Sequence, residues 1–157
     1  MEVSIRPLQE QDAFTSYKWR NDGEVFKYTG NTYKKIITLE SELEWIKRIR
    51  NKKDDYRCAI MVDGVYVGNI YLTDIHNKRA EYHIFIGNRE YWGKGVAKEA
   101  SKLIIQHGFH TLGLNEIYLF VNTLNQSAVR LYFSLGFKEV SMKGNEIKMV
   151  LIQQNNK

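Results

Sequence analysis

The sequence of 157 residues contains one cysteine, one proline and no apolar stretch that approaches the length of a membrane span. The lone Cys58 has no partner for an internal disulfide, and the apolar run 58–62 predicts a buried, unreactive thiol. Since a bilayer requires about 20 consecutive apolar residues, we expect no membrane association. The segment Met1–Pro7 lacks the charged and then apolar pattern of a secretion signal. We therefore expect a cytoplasmic protein.

Metal-binding motifs are also missing. The chain shows neither an HExxH motif nor a Cys/His cluster, so we expect no metal, and His107 and His110 fit a surface or helix-terminal role. The formal net charge is +5, but the basic residues are scattered and no stacking-aromatic signature accompanies them. We therefore expect no nucleic-acid partner. A moderate positive charge equally suits a small polyanionic ligand.

The composition is that of a globular protein, with 43% hydrophobic and 26% charged residues. Without a repeat, a low-complexity block or a linker, residues 1–157 are predicted to form one domain. Antiparallel strands come first, and a strand–helix–strand–helix–strand order follows, which predicts an α+β domain with a mixed sheet. The predicted strands cover residues 4–7, 57–62, 65–72, 79–86, 117–121, 137–140 and 147–152.

Capping and turn residues locate the predicted helices and one hairpin. Asp63–Gly64 is a strong two-residue hairpin signal. Phe14, Tyr17 and Trp19 mark a first short helix, and Thr38 is the predicted cap of a second helix, whose apolar residues recur at helical spacing. After a polar loop at residues 76–78 and the strand 79–86, a third helix begins just after Gly95. A fourth helix spans Asn125–Ser134 and ends at Gly136.

The segment Glu90–Ala97 is predicted to be a turn that opens a helix and can bind an anion. A helix N-terminus presents unpaired amide N–H groups, and Gly93 and Gly95 permit unusual backbone angles and a close approach. Lys98 occupies the position where a dinucleotide fingerprint has Gly or Ala, and no Gly-Lys-Ser/Thr phosphate-binding sequence occurs. Taken alone, the glycines are equally consistent with an anion site and with a plain strand-to-helix turn.

Three segments together resemble the GNAT acetyltransferase superfamily. They are Arg79–Ile86, Glu90–Ala100 and Asn122–Phe137, and they are similar to the central strand and the two coenzyme A motifs of that family. The branch they resemble contains ribosomal-protein alanine, spermidine and nucleotide-amino-sugar acetyltransferases. The resemblance implies a mostly antiparallel twisted sheet of six to seven strands flanked by about four helices. It also implies an acetyl-coenzyme A-dependent N-acetyltransferase in which a primary amine attacks the thioester directly.

The resemblance also implies site residues. Tyr132 is the candidate general acid for the departing thiolate. Glu81 and His83 share one face of a strand and are candidates for accepting the proton of the amine, where a histidine near pKa 6.5 would be suitable. The residues implied to bind acetyl-coenzyme A are Ile84, Phe85, Ile86, Trp92, Gly93, Lys94, Gly95, Val96, Ala97, Asn125 and Tyr132.

The resemblance says less about the acceptor amine than about the co-substrate. Trp19, Arg20 and Tyr28 resemble a stretch common in amino-sugar acetyltransferases, although Trp19 also suits the core and Arg20 also suits a helix pair with Glu24. The positive charge favours a nucleotide-linked amino sugar; a polyamine and a protein N-terminus are the alternatives. A further alternative is a non-catalytic sensor that binds acyl-coenzyme A on the same fold. Many relatives form dimers, so a homodimer is one of the states that the resemblance allows.

Overall fold

The structure, a computed structural model, describes residues 1–28 and 36–154. A seven-stranded sheet has the order β1-β2-β3-β4-β5-β7-β6. Neighbouring strands are antiparallel except for β4 and β5, which are parallel. This confirms the predicted α+β class. The elements are β1 (Val3–Pro7), α1 (Ala13–Arg20), α2 (Leu39–Arg50), β2 (Tyr56–Val62), β3 (Val65–His76), β4 (Arg79–Ile86), α3 (Val96–His110), β5 (Glu116–Asn122), α4 (Gln126–Ser134), β6 (Lys138–Lys143) and β7 (Glu146–Ile152).

Two tight turns set the register of the first strands. Asp63 and Gly64, both with positive φ, join β2 to β3, as predicted. The second turn differs from the prediction, because β3 continues past Leu72 to His76. Only Asn77 and Lys78, again with positive φ, separate it from β4. The strand ends in an irregular, polar stretch with a register shift between Thr73 and His76, so its sequence resembles a loop.

Local capping residues begin α2 and α4. The Thr38 hydroxyl accepts a hydrogen bond from the amide of Ser41, and the Asn125 side chain accepts one from Ala128. Both caps were predicted. The apolar face predicted for α1 is only partly correct. Phe14 is 58% exposed, and the helix instead buries Ser16, which is possible because its hydroxyl donates to a carboxylate oxygen of α2.

The two faces of the sheet carry separate hydrophobic clusters. On one face, α3 packs against residues such as Ile60 and Leu72. On the other face, a smaller cluster joins α1 and α2 to Ala59. Consecutive residues of β2 enter opposite clusters because side chains alternate along a strand. The sheet therefore separates an α3 face from an α1–α2 face.

An opening forms where β4 and β5 diverge. The two strands pair only where Arg79–Glu81 lies beside Glu116–Tyr118, whereas the pairing of β4 with β3 continues to Ile86. From Tyr82 onward, the β5-facing edge of β4 has no strand partner among the described residues. A cleft occupies this gap, and its position follows from the sheet topology.

Candidate active site

The cleft has a volume of about 1130 Å³, and β4 divides it into two sides. On the α3 side, Tyr82, Ile84 and Ile86 face α3 and α4. On the α1 side, Glu81, His83 and Phe85 face the region of α1 and β3. Alternation along one strand therefore supplies residues to both sides.

On the α3 side, the turn before α3 lies at the mouth of the gap. Gly93 and Gly95 have φ values of 72° and 80°, and an added Cβ would meet nothing within 4 Å at either position. The glycines are therefore required by backbone conformation, and they leave the space beside the turn open. Within residues 1–28 and 36–154, no side chain caps the N-terminus of α3, which leaves its first amides open toward the cleft.

A tryptophan links this turn to the end of β4. The indole of Trp92 donates a hydrogen bond of 2.8 Å to the carbonyl of Ile86 and lines the cleft. Lys94 does not line the cleft; its ammonium lies 5.7 Å from the ring centroid of Tyr91. Lys98, one turn into α3, does line it. Both lysines were expected to add positive charge beside the glycine turn; Lys98 faces the cleft there, and the contact of Lys94 with the co-substrate stays a prediction.

Tyr132 lies at the inner end of the α3 side. It is 8% exposed, and its ring meets the ring of Tyr82 edge to face at a centroid distance of 5.6 Å. Burial raises the pKa of Tyr132 to about 12, although the Tyr82 hydroxyl acts in the opposite direction. The Tyr132 hydroxyl is therefore protonated at neutral pH, and Tyr132 lines the cleft. Val96, Ala97 and Asn125 line the same side.

On the α1 side, Glu81 lies among other carboxylates. Partial burial raises its pKa, and the negative charges of Asp74 and Glu146 raise it further. Glu146, from the start of β7, and Glu24, from the segment after α1, also line the cleft. This side therefore combines acidic groups from three separate parts of the chain.

His83 does not have the pKa expected for it. Its Nε2 atom lies 3.4 Å from Glu81 and 3.1 Å from the hydroxyl of Thr73. Burial in the cleft, followed by the positive charge of Arg57, lowers the pKa of His83 to about 4. The imidazole is therefore uncharged at neutral pH. Its position matches the prediction, but its pKa lies well below 6.5.

Two arginines on the α1 side are already paired with buried carboxylates. Arg20 lies 2.9 Å from Glu42, which is only 2% exposed, and stacks 4.0 Å from the centroid of the Trp45 ring. The Arg20–Glu24 helix pair that the sequence suggested is replaced by this longer-range pair. Arg57 similarly lies 3.0 Å from buried Asp55. Neither pair was predicted from the sequence. The Arg20–Glu42 pair joins two helices, and the Arg57–Asp55 pair depends on how the chain enters β2.

Of the three predicted acceptor residues, Arg20 and Tyr28 line the cleft and Trp19 does not. Trp19 is 9% exposed and packs against Tyr66 and Gly87, where an added Cβ would collide with its ring. Its contacts are those of a core residue that fixes α1 against the end of β4. This placement agrees with the packing alternative and argues against substrate contact.

The remaining sequence expectations concern groups elsewhere in the chain. Cys58 is buried, and burial raises the pKa of its thiol to about 11, in agreement with the predicted unreactive state. In residues 1–28 and 36–154, no three His, Cys, Asp or Glu side chains are grouped to hold a metal ion. Over the same residues, no helix is long and apolar enough to cross a membrane.

A family model described as the acetyltransferase (GNAT) domain matches residues 2–138. The spermidine N(1)-acetyltransferase of Escherichia coli (strain K12) is 33% identical over 138 residues, which cover 86% of this chain and 72% of that protein.

Solved structures give the same picture for the fold. The spermidine N-acetyltransferase from Vibrio cholerae, in complex with CoA and spermine, has a TM-score of 0.86 at 22% identity and covers 96% of this chain and 95% of its own. The Campylobacter jejuni N-acetyltransferase PseH, in complex with acetyl coenzyme A, has a TM-score of 0.77 at 20% identity, with 98% and 100% covered.

Proposed function

Since the chain belongs to the acetyltransferase (GNAT) family and is an N-acetyltransferase that uses acetyl-coenzyme A, we propose that its acceptor is a polyamine of the spermidine type. The observation that carries this proposal is the set of carboxylates on the α1 side of the cleft. Glu81 lies in the electrostatic field of Asp74 and Glu146, and Glu24 lines the same side. A flexible chain with several ammonium groups requires such a field.

Charge complementarity supports a cationic acceptor. The carboxylates destabilise one another, which is why the pKa of Glu81 is raised in part by its neighbours. A bound polycation relieves this repulsion. Ammonium groups bound on this side are therefore attracted to Glu81, and they also relieve the repulsion between Glu81 and Glu146.

The arginines on this side give little support to a phosphate group. Arg20 and Arg57 are already paired with the buried carboxylates of Glu42 and Asp55, so a diphosphate would have to compete with these carboxylates for them. Lys143 and Lys27 also line the cleft, and they keep a nucleotide-linked amino sugar as the second candidate.

Relatives also favour the polyamine. The 33% identical relative is named a spermidine N(1)-acetyltransferase, and the structure with a TM-score of 0.86 was solved with spermine. This chain shares the fold of that structure, and in this chain the α1 side of the cleft would have to bind the polyamine. The likeness supports the acceptor class and leaves the choice among polyamines to experiment.

The α3 side fits acetyl-coenzyme A. The uncapped amides at the start of α3 and the open space beside Gly93 and Gly95 suit its pyrophosphate, with Lys98 adding positive charge. The unpaired edge of β4 from Tyr82 to Ile86 offers main-chain groups to its pantetheine arm, and Asn125 adjoins the same side. When bound, this co-substrate supplies the activated acetyl group as a thioester.

We assign the proton transfers to residues on opposite sides of β4. Tyr132, protonated at neutral pH, donates its hydroxyl proton to the thiolate. Glu81 accepts the proton released by the amine, directly or through water. His83, held uncharged, has its Nε2 atom 3.4 Å from Glu81 and is not a cation that would repel the acceptor.

The proposal is tested by thiol release from acetyl-coenzyme A with a panel of acceptors. We expect spermidine to give a kcat/KM at least tenfold above that of a nucleotide-linked amino sugar or of a peptide with a free N-terminus. Thermal stabilisation by acetyl-coenzyme A is measured in parallel. Stabilisation without turnover of any amine would indicate a sensor, and turnover of the nucleotide sugar alone would replace the proposed acceptor.

A further inference from the structure

A chain of hydroxyl groups lies behind Tyr132 on the α3 side of the cleft. The hydroxyl of Tyr82 is 2.6 Å from the hydroxyl of Ser101, which in turn is 2.6 Å from the carbonyl oxygen of Ala97. Tyr82 is 3% exposed and Ser101 is fully buried. The proton transfers assigned above use neither of them. Buried hydroxyls of this kind are held by specific partners because water does not reach them.

The direction of these hydrogen bonds follows from a count of protons. Ser101 has one hydroxyl hydrogen, and it is donated to the carbonyl of Ala97. Tyr82 must therefore donate its own hydrogen to Ser101 in the resting protein. The Tyr82 oxygen keeps its lone pairs, and its ring meets the ring of Tyr132 edge to face. Tyr82 thus donates to Ser101 at rest and packs directly against the ring of Tyr132, the assigned acid.

We propose that Tyr82 is a positioning residue whose hydroxyl hydrogen turns from Ser101 to Tyr132 when Tyr132 gives up its proton during the transfer. The proposal rests on the assignment of Tyr132 as the acid under the proposed function. Phe137 packs against both tyrosine rings, with centroid distances of 6.0 Å to each, and holds them in place.

The protons balance. Tyr132 transfers its hydroxyl proton to the sulfur, which takes the electron pair of its broken bond to the acyl carbon, and Tyr132 becomes a phenolate. Tyr82 donates a hydrogen bond to that phenolate and keeps its own proton. Glu81 takes the proton lost by the amine. Solvent later returns a proton to Tyr132 and removes one from Glu81, so each residue returns to its starting state.

The pKa values of the two tyrosines agree with this arrangement. Burial raises the pKa of Tyr132, and among the described residues Tyr82 is the group that lowers it. For Tyr82, burial and then the charge of Tyr132 raise the pKa, so Tyr82 keeps its proton when Tyr132 is ionised. A hydrogen bond to a charged oxygen is stronger than one to a neutral hydroxyl. The rotation is therefore favourable only in the ionised state.

The first test measures the ionisation of residue 132 without any turnover. A fluorinated tyrosine, more acidic than tyrosine, is placed at position 132, and its midpoint of ionisation is followed by fluorine NMR. We expect Tyr82→Phe to raise the midpoint. Ser101→Ala should lower it, because the Tyr82 hydrogen is released from its resting acceptor. The control Tyr56→Phe removes a tyrosine hydroxyl outside the cleft and should leave the midpoint unchanged.

The second test is kinetic. We expect Tyr82→Phe to lower kcat for thiol release about tenfold, the loss of one hydrogen bond to a charged group, with both KM values unchanged. Ser101→Ala should retain at least the native kcat, and Tyr56→Phe should match the native enzyme. Unchanged kcat and midpoint in Tyr82→Phe would overturn the proposal, as would midpoint shifts of the same sign in Tyr82→Phe and Ser101→Ala.

These outcomes separate this inference from the proposed function. If Tyr132→Phe keeps full activity, the assigned acid role fails, while opposite midpoint shifts would still establish the hydrogen bond. If Tyr132→Phe is inactive and Tyr82→Phe is fully active, only the role of Tyr82 fails. Should Tyr82→Phe melt far below the native protein, Ser101→Ala decides the question, because an unchanged midpoint in that variant contradicts the rotation.

Discussion

The two sides of the cleft are built in different ways. Apart from β4, the α3 side comes from one stretch of chain between Tyr91 and Tyr132, in which a turn, a helix start and a capped helix follow one another. The α1 side gathers residues as distant as Arg20 and Glu146. Local signals therefore describe the α3 side well, whereas the α1 side depends on how distant elements pack. The difference matches the proposed chemistry, in which one side binds a co-substrate shared by a family and the other selects the acceptor.

The largest expected effect belongs to the α3 side. Tyr132→Phe removes the proposed acid and should lower kcat by about 100- to 10,000-fold. The ring and its packing against Tyr82 remain, so acetyl-coenzyme A should still stabilise the variant against heating. Thiol-release kinetics and melting curves measure the two quantities. A variant that loses stabilisation together with kcat would show that Tyr132 acts in binding instead of proton transfer.

On the α1 side, Glu81→Gln should have the next largest effect. The loss of a charged partner for the amine should lower kcat/KM for spermidine about 10- to 100-fold, with an unchanged KM for acetyl-coenzyme A. In the proposed mechanism Glu81 is the base in its ionised form, so the native rate should fall as the pH drops through the pKa of Glu81. This acid limb should be absent in Glu81→Gln. An acid limb that persists unchanged would assign the base to another group.

The glycine turn provides a test confined to co-substrate binding. Gly95→Ala places a Cβ on a residue with φ of 80° and should cost about 1–2 kcal/mol of folding free energy. We expect a fall of about tenfold in affinity for acetyl-coenzyme A as the turn relaxes to an ordinary conformation. Gly113→Ala is the matched control, because Gly113 has a φ of 71° and open space around it but lies outside the cleft. Equal affinity losses in both variants would contradict the role of the turn.

The smallest effect is expected at the outer carboxylate of the α1 side. Glu146→Gln should raise KM for spermidine a few-fold at low salt, and the difference should vanish at high salt, since exposed charges are screened. Because the charge of Glu146 raises the pKa of Glu81, the acid limb of the rate should move to lower pH in this variant. Glu139→Gln, on exposed β6 and outside the cleft, is the control.

The sequence predicted much of the fold because its signals are local. The Asp63–Gly64 hairpin, the Thr38 and Asn125 caps and the start of α3 after Gly95 each depend on residues within one turn. The end of β3 was missed because three of its last four residues, Thr73, Asp74 and His76, are polar and its pairing is irregular. In that stretch the partner strand, and not the local sequence, determines the extended conformation.

The candidate site was predicted unevenly for the same reason. Alternation along β4 correctly put Glu81 and His83 on one face, but the low pKa of His83 results from burial and from Arg57 of another strand. Trp19 packs on Gly87, a contact that joins distant parts of the chain. Pairing of Arg20 with Glu42 likewise required the positions of two helices. The charge balance of the α1 side is a property of the folded chain.

The central claim is that the α1 side of the cleft selects a polyamine. The most direct measurement is the ratio of kcat/KM for spermidine to kcat/KM for a nucleotide-linked amino sugar, in the native protein and in Glu81→Gln. We predict a ratio of at least tenfold in the native protein that collapses toward one in the variant. A native ratio below one, with acetyl-coenzyme A still bound, would contradict the claim.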